Sequence, residues 1–363
     1  MQIQGQTQPK PLARWLRSRW LHPLNDAVAW EQMLCAINPM WSRRDYPARV
    51  LQVIDETADT RSLWLQPVAR WPGHRAGQHV VVEVEIDGRR LHRSFSLSSA
   101  PAADGRVRIT LKRQPGARVS AWIQQLRAGD VLRLSAPQGD FLAPAEDAPL
   151  LLLSAGSGIT PLMAMIEELH ARGRRAPLVL VHICRNEEDF IFGARLRELA
   201  SRWPAFDLRV HFSAVAGRPD AVALTRLLAG TGHCEARVCG PRALVAAVES
   251  LYRAAGVAGR VRSESYRGRV LPAADGAASA HAVHCTNTER VFTAGADTSL
   301  LQAAEAAGLQ PAHGCRIGIC MSCQCRKRSG SVLNLRTGER SSEPDELIQL
   351  CVSVAQSPLE LAL

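Results

Sequence analysis

Between Tyr46 and about Glu146, short apolar runs alternate with turn signals. The runs cover residues 48–54, 62–65, 79–86, 107–113 and 131–135. Their length and spacing predict antiparallel strands, with Asp87-Gly88 and Asp104-Gly105 as hairpin turns. Several such strands make an all-β barrel. From about Asp147 the texture changes. Residues 149–154 form a continuous apolar run, the pattern of a parallel strand buried on both faces. A glycine turn follows at Gly156-Ser157-Gly158, and residues 160–172 have helical periodicity. Strand-like runs at 178–183, 208–212 and 236–239, with a helical stretch at 190–200, continue the alternation. Strands alternating with helices predict a doubly wound α/β domain over 147–271.

Residues 272–280 are rich in Ala and Gly and nearly uncharged, which marks a linker. The last segment, 281–363, carries a strand pair (281–285 and 290–294), a helix (299–307), a cysteine-rich loop and a final run at 347–354. At the other end, residues 1–45 form a basic extension. Leu12, Trp15, Leu16 and Trp20, then Val28, Trp30, Leu34 and Ile37, recur at helical spacing, and Pro23 divides the two candidate helices. No internal repeat is visible.

A chain of 363 residues predicts two or three domains. With 46% hydrophobic and 21% charged residues it is an ordinary globular composition, which excludes a wholly disordered or collagen-like chain. No apolar run approaches the roughly 18 residues of a membrane-spanning helix. Arg14, Arg17 and Arg19 interrupt the place where a signal peptide would need its apolar core, so a cytoplasmic location is expected. The net charge is +10, and it is uneven: from His281 onward 7 Lys+Arg face 8 Asp+Glu. No basic block is interleaved with aromatics, which argues against a nucleic-acid partner.

Ten cysteines in a cytosolic chain point to metal or redox chemistry before disulfides. Cys315, Cys320 and Cys323 have the spacing C-x4-C-x2-C, and Cys351 follows after a gap of 27 residues. This is the plant-type [2Fe–2S] ligand pattern. Two irons with two bridging sulfides need four thiolates. A tight loop supplies three from one side, with Gly314 and Gly318 letting the backbone bend, and a distant element supplies the fourth. A structural zinc ribbon would pair two C-x-x-C knuckles, and only one knuckle exists here. Cys325 reads as a bystander on the strand beyond the loop.

Arg93-Ser94-Phe95-Ser96 follows the 79–86 strand. It resembles the flavin fingerprint Arg-x-Tyr/Phe-Ser of the ferredoxin–NADP reductase family. An arginine can grip a pyrophosphate through two hydrogen bonds, an aromatic ring can stack on the isoalloxazine, and a serine can hydrogen-bond flavin N5. The stretch from Lys112 through Gly116 to Val119-Ser120 resembles the family's second flavin segment, where a turn opens a helix and backbone N–H groups receive the pyrophosphate. Ala117-Arg118 departs from the small pair common there. Gly156-Ser157-Gly158-Ile159-Thr160 sits where the family places its nicotinamide-nucleotide loop, and Cys239-Gly240-Pro241 matches the tripeptide beside the nicotinamide.

The order of these motifs resembles a ferredoxin–NADP reductase module fused to a C-terminal plant-type ferredoxin, over about residues 46–363. The resemblance implies a multidomain chain: an antiparallel β-barrel flavin domain (46–146), a doubly wound α/β nucleotide domain (147–271), a linker (272–280) and a β-grasp ferredoxin domain (281–363). It implies FAD, a [2Fe–2S] cluster held by Cys315, Cys320, Cys323 and Cys351, and NADPH or NADH as donor. Ser96 and Cys239 are the residues expected at the hydride path. Arg93, Ser94, Phe95, Lys112, Gly116, Val119 and Ser120 are expected at FAD, and Gly156, Gly158, Thr160, Gly240 and Pro241 at the nucleotide. Arg185, just past the 178–183 strand, could meet a 2′-phosphate, while Glu187 and Glu188 could instead favour a ribose hydroxyl.

A nucleotide yields two electrons as a hydride and a [2Fe–2S] centre takes one, so a flavin must stand between them. The expected function is an NAD(P)H-dependent reductase delivering electrons to an oxygenase or a membrane fatty-acyl desaturase. The alternatives are a stand-alone reductase of nitric oxide, ferric iron or a quinone, and a non-enzymatic iron–sulfur redox sensor. Lys10, Arg14, Arg17 and Arg19 with Trp15 and Trp20 suggest peripheral membrane contact through residues 1–45; packing on the barrel is the bland reading.

Overall fold

The computed structural model describes residues 27–43, 45–86, 89–113, 118–232, 234–264, 280–295, 298–313, 318, 323–335 and 337–363. Helix α1 (Ala27–Ile37) leads into the barrel strands β1 (Tyr46–Thr57), β2 (Thr60–Pro67), β3 (His79–Ile86), β4 (Arg89–Ser96), β5 (Val107–Lys112) and, after the short helix α2 (Arg118–Ile123), β6 (Val131–Leu134). Their order in the sheet is β4-β3-β6-β1-β2-β5, every pair antiparallel. A bridge between Leu97 and Ile109 closes β4 onto β5. The period-2 rule then sorts the side chains. Val80, Val82 and Val84, Leu63 and Leu65, and Val107, Ile109 and Leu111 fill the barrel. Arg108, Thr110 and Lys112 therefore point outward from β5.

The second domain is a five-stranded parallel sheet of β7 (Leu150–Ala155), β8 (Leu178–Cys184), β9 (Phe206–Phe212), β10 (Glu235–Cys239) and β11 (Val261–Glu264), in the order β11-β10-β7-β8-β9. Helices α3 (Ile159–Ala171) and α4 (Gly193–Arg202) cover one face. After the single turn α5 (Ser213–Ala216), α6 (Ala221–Leu227) and α7 (Arg242–Ala254) cover the other. This is the doubly wound arrangement, and its strand order reverses between β7 and β10. A crevice forms there because the loops leaving the two strands diverge to opposite faces.

The third domain pairs β12 (His281–Cys285) with β13 (Arg290–Ala294), then α8 (Leu300–Ala306), β14 (Gln324–Ser329), β15 (Val332–Asn334), β16 (Arg340–Ser341), β17 (Glu346–Gln349), β18 (Ser353–Ala355) and β19 (Leu359–Leu361). The main sheet runs β13-β12-β19-β14-β17, with β12 and β19 parallel, and a small sheet β16-β15-β18 lies beside it. Ser299 and Gln302 form a reciprocal capping box that starts α8. Leu300, Leu301, Ala303 and Ala304 then bury one helix face in the core, as in a β-grasp.

Three elements differ from the sequence expectation. The helix expected at 190–200 starts at Gly193, because Phe190, Ile191 and Phe192 turn into the core and Phe192 takes a left-handed φ of 61°. The run 347–354 breaks into β17 and β18, which join different sheets, and buried Cys351 sits in the turn between them. Asp104-Gly105 makes a turn, with Gly105 at φ 72°, but inside the longer loop between Leu97 and β5 rather than a two-residue hairpin. Asp87-Gly88, the candidate helix around Trp15 and residues 272–279 of the expected linker lie outside the described residues.

Candidate electron-transfer sites

The cluster end is built from a strand, a turn and a loop. β14 begins just after Cys323, and the Leu350 amide donates to the Cys323 carbonyl at 3.1 Å. That bond draws the turn after β17 against the end of the cysteine loop. It leaves the Cys323 and Cys351 thiols 3.2 Å apart, both buried and unoxidised. Gly318 has φ 78°, and a Cβ there would lie 2.8 Å from the Val352 side chain. The loop thus presses on the residue beside Cys351, and only glycine fits. Two converging thiols in an apolar wall suit a thiophilic metal centre. Cys315, Cys320 and Gly314 lie outside the described residues. Cys325 belongs to the domain core, and burial first, then the neighbouring Cys285, pushes its thiol up to about 11. It is inert at neutral pH.

At the flavin end the fingerprint divides by strand alternation. Register pairs Val80 with Phe95 and Val82 with Arg93, so Phe95 and Arg93 share the inward face and Ser94 and Ser96 the other. Phe95 packs on the barrel core, and Arg93 donates to the His92 carbonyl at 2.8 Å. Ser94 Oγ is buried with no hydrogen-bond partner among the described residues, and Ser96 is buried. A buried hydroxyl without a partner is costly, and a bound polar molecule removes that cost. Val119 and Ser120 are buried in the first turn of α2, with Val119 anchored in the barrel core. Gly116 lies outside the described residues. The Lys112 ammonium is held by Asp59 at 3.0 Å and by Asp189 of the nucleotide domain at 3.3 Å.

The nucleotide end sits at the point of strand reversal. Gly156–Gly158 forms one tight turn after β7, and Thr160 Oγ1 donates to the Ser157 carbonyl at 2.9 Å, which closes the start of α3. Cys239, fully buried, ends β10. A Cβ on Gly158 would lie 2.1 Å from the Cys239 carbonyl oxygen, and one on Gly240 would lie 3.2 Å from the Ala155 amide. The two loops therefore touch backbone to backbone, which explains glycine at both positions. Pro241 opens α7 with its fixed φ. Arg185 is exposed past β8 and makes no ion pair among the described residues, while Glu187 is bound through both oxygens by Arg197 at 2.6 Å.

Sequence reasoning missed two buried polar groups nearby. Ser154 Oγ and His182 Nδ1 are 2.8 Å apart on β7 and β8, and the imidazole stacks on Phe190. Burial holds this histidine neutral, with its pKa pushed down to about 3. Lys327, fully buried on β14, donates to the Gly330 and Ser341 carbonyls and pairs with Glu346 at 3.2 Å. The alternation that turns Cys325 inward turns Lys327 inward too, so its placement was legible, but its partners were not.

Comparison with known proteins agrees with this geometry. Residues 49–142 match the oxidoreductase FAD-binding domain family, 152–250 the oxidoreductase NAD-binding domain family, and 283–356 the 2Fe-2S iron-sulfur cluster binding domain family. The chain is 35% identical over 325 residues to an NADPH oxidoreductase of Mycobacterium tuberculosis, covering 88% of this chain and 84% of that one. It is 33% identical over 305 residues to the ferredoxin reductase component of a 3-ketosteroid-9-alpha-monooxygenase from Mycolicibacterium smegmatis, covering 78% and 86%. Among solved structures, phthalate dioxygenase reductase shares the fold, with a TM-score of 0.60 at 24% identity over 88% of this chain and 98% of that one. The chain belongs to the family of NAD(P)H-dependent flavin and iron–sulfur reductases that join an FAD-binding barrel, a nucleotide-binding domain and a C-terminal [2Fe–2S] domain.

Proposed function

We propose that this reductase delivers electrons to a partner oxygenase and prefers NADPH. The reading rests on two thiols meeting at the end of a chain that also carries flavin and nucleotide sites; the relatives named as oxygenase components support it. When bound, FAD accepts a hydride and hands on single electrons, and the cluster relays them. The chain's own residues position these groups. Ser94 and Ser96 offer hydroxyls on one face of β4, and Ser96 is the candidate partner of flavin N5. Arg93 with the Val119 and Ser120 backbone would hold the pyrophosphate, beside Gly116 and with Phe95 as the ring wall. Gly156, Gly158 and Gly240 keep side chains out of the crevice so that backbone can approach the nucleotide. Thr160 and Cys239 would flank the nicotinamide, with Pro241 starting the helix behind. Cys315, Cys320, Cys323 and Cys351 would hold the cluster.

NADPH is favoured because Arg185, at the strand end, makes no ion pair among the described residues, whereas Glu187 is neutralised by Arg197. Anaerobic titration of the purified chain with each nucleotide tests both claims. Flavin and [2Fe–2S] absorbance should bleach, at lower concentration with NADPH than with NADH. Stronger bleaching with NADH rejects the donor assignment, and a colourless zinc protein rejects the cluster.

A membrane-bound acceptor such as a fatty-acyl desaturase is a second reading, favoured by α1. Nine of its eleven residues are apolar, and Trp30, Met33, Ile37 and, one turn beyond, Trp41 are exposed on one side. An uncovered apolar helix behind a basic segment suits an interfacial site on anionic lipid. Among the described residues no helix is long and apolar enough to cross a membrane. Flotation with anionic vesicles, before and after removal of residues 1–41, tests it; equal flotation of both forms rejects membrane contact.

A further inference from the structure

The outward face of β5 carries a clamp between the flavin barrel and the nucleotide domain. Arg108 is buried although it points out of its barrel. Its guanidinium donates to the Ser98 carbonyl at 2.5 Å and to Ser98 Oγ at 3.2 Å, so it is fixed within the barrel first. The same group then reaches Glu167 Oε1 at 3.3 Å and lies 4.6 Å from the centre of the Phe192 ring. Both partners belong to the nucleotide domain. The other carboxylate oxygen, Glu167 Oε2, accepts the Ala100 amide at 3.4 Å. Glu167 is therefore held by the barrel through both oxygens. Four residues further along β5, on the same face, Lys112 grips Asp189.

These contacts are placed where they act on the chemistry. Glu167 is on α3, two turns after Thr160, and α3 is the helix opened by the Gly156–Gly158 turn. Ser98 and Ala100 lie two and four residues past Ser96, just beyond the end of the strand that carries the flavin fingerprint. Phe192 holds a left-handed φ that an aromatic residue rarely adopts, and its ring is buried under the guanidinium. A rigid helix anchored at Glu167 fixes its own start, and with it the nucleotide loop, relative to β4.

From this we infer that Arg108, acting through Glu167 and Phe192, is a positioning residue that sets the approach of the nicotinamide to the flavin. The inference rests on the assignment of Gly156–Thr160 to the nucleotide. Hydride transfer demands near-contact geometry, and a displacement of about 1 Å costs up to about 100-fold.

The test is stopped-flow reduction of the flavin in the full-length holoprotein by saturating NADPH, with 4-deuterated nucleotide for the isotope effect. In Arg108→Gln and Glu167→Ala, the reduction rate per bound flavin should fall at least about tenfold and the isotope effect should rise, with nucleotide affinity changed less than about threefold. Glu167→Gln, which keeps the side-chain shape and one of the two acceptor oxygens, should recover part of the rate. Thr160→Val checks the underlying assignment separately: it should weaken nucleotide binding if the loop holds the nucleotide, and unaltered binding would reject that assignment. A wild-type reduction rate in flavin-replete Glu167→Ala would overturn the positioning role, as would loss of flavin and thermal stability with an unchanged rate per bound flavin. Should Arg108→Gln fail to fold, Glu167, whose side chain is 19% exposed, still decides the question.

Discussion

The nucleotide domain and the ferredoxin domain solve the problem of a buried core differently. The first has a parallel sheet with aliphatic layers on both faces, and Ser154 and His182 pair within it. The second is smaller, and its core admits a lysine and four described cysteines, Cys285, Cys323, Cys325 and Cys351. A large sheet holds itself together by apolar burial and lends its loop backbones to a ligand. A small domain buries less surface per residue and relies more on a metal centre. The two sites follow suit: one is made of glycine backbone pressed together, the other of thiols.

The strongest challenge to this contrast removes a thiol. Cys351→Ser should abolish cluster absorbance and transfer to an external acceptor, while NADPH still reduces the flavin at the wild-type rate. It should also lower the melting temperature of the ferredoxin domain and leave that of the nucleotide domain unchanged. Equal destabilisation of both domains by calorimetry would refute the separation.

Next in size is Lys327→Met. It strands two carbonyls and leaves partly exposed Glu346 without its cation, at a cost of about 1–3 kcal/mol. The loss should appear in chemical denaturation of the ferredoxin domain. Gly158→Ala places a Cβ against the Cys239 carbonyl, and the backbone must shift. Overpacking of this kind costs about 1–3 kcal/mol. The measurable effect should be weaker nucleotide binding with cluster spectra intact.

The effect that nearly vanishes at neutral pH is a pH slope confined to the nucleotide domain. His182 is neutral in the fold, with a pKa near 3 against an ordinary 6.5. The unfolded chain takes up the proton first as pH falls below about 6.5, so stability declines from there down to about pH 3. At pH 5 the difference is about 2 kcal/mol, from about 1.36 kcal/mol per pH unit. Denaturation at pH 7 and pH 5 checks this, and His182→Asn should flatten the slope.

Much of this was open to reading in the chain itself. The cluster spacing, the strand–glycine–helix order at Gly156, and the change from alternating to continuous apolar runs are local signals. Local signals survive because hydrogen-bonding period and loop geometry depend on neighbours in sequence. Strands at 79–86, 281–285 and 290–294 stand where the pattern puts them. The helix start at Gly193 did not follow the pattern, since Phe190–Phe192 look helical until the barrel and β8 claim their rings.

Local pattern therefore specified three domains and their order, and the resemblance of their motifs to a known family specified the chemistry each carries. Contacts between distant segments specified the rest. Arg108 in a strand reads as a solvent-facing charge until Glu167 and Phe192 arrive from 59 and 84 positions away. Lys112 reads as a phosphate ligand until Asp59 and Asp189 close on it. A charge is worth little until its surroundings exclude water and supply a partner, and only packing brings a partner from another domain to a few ångströms.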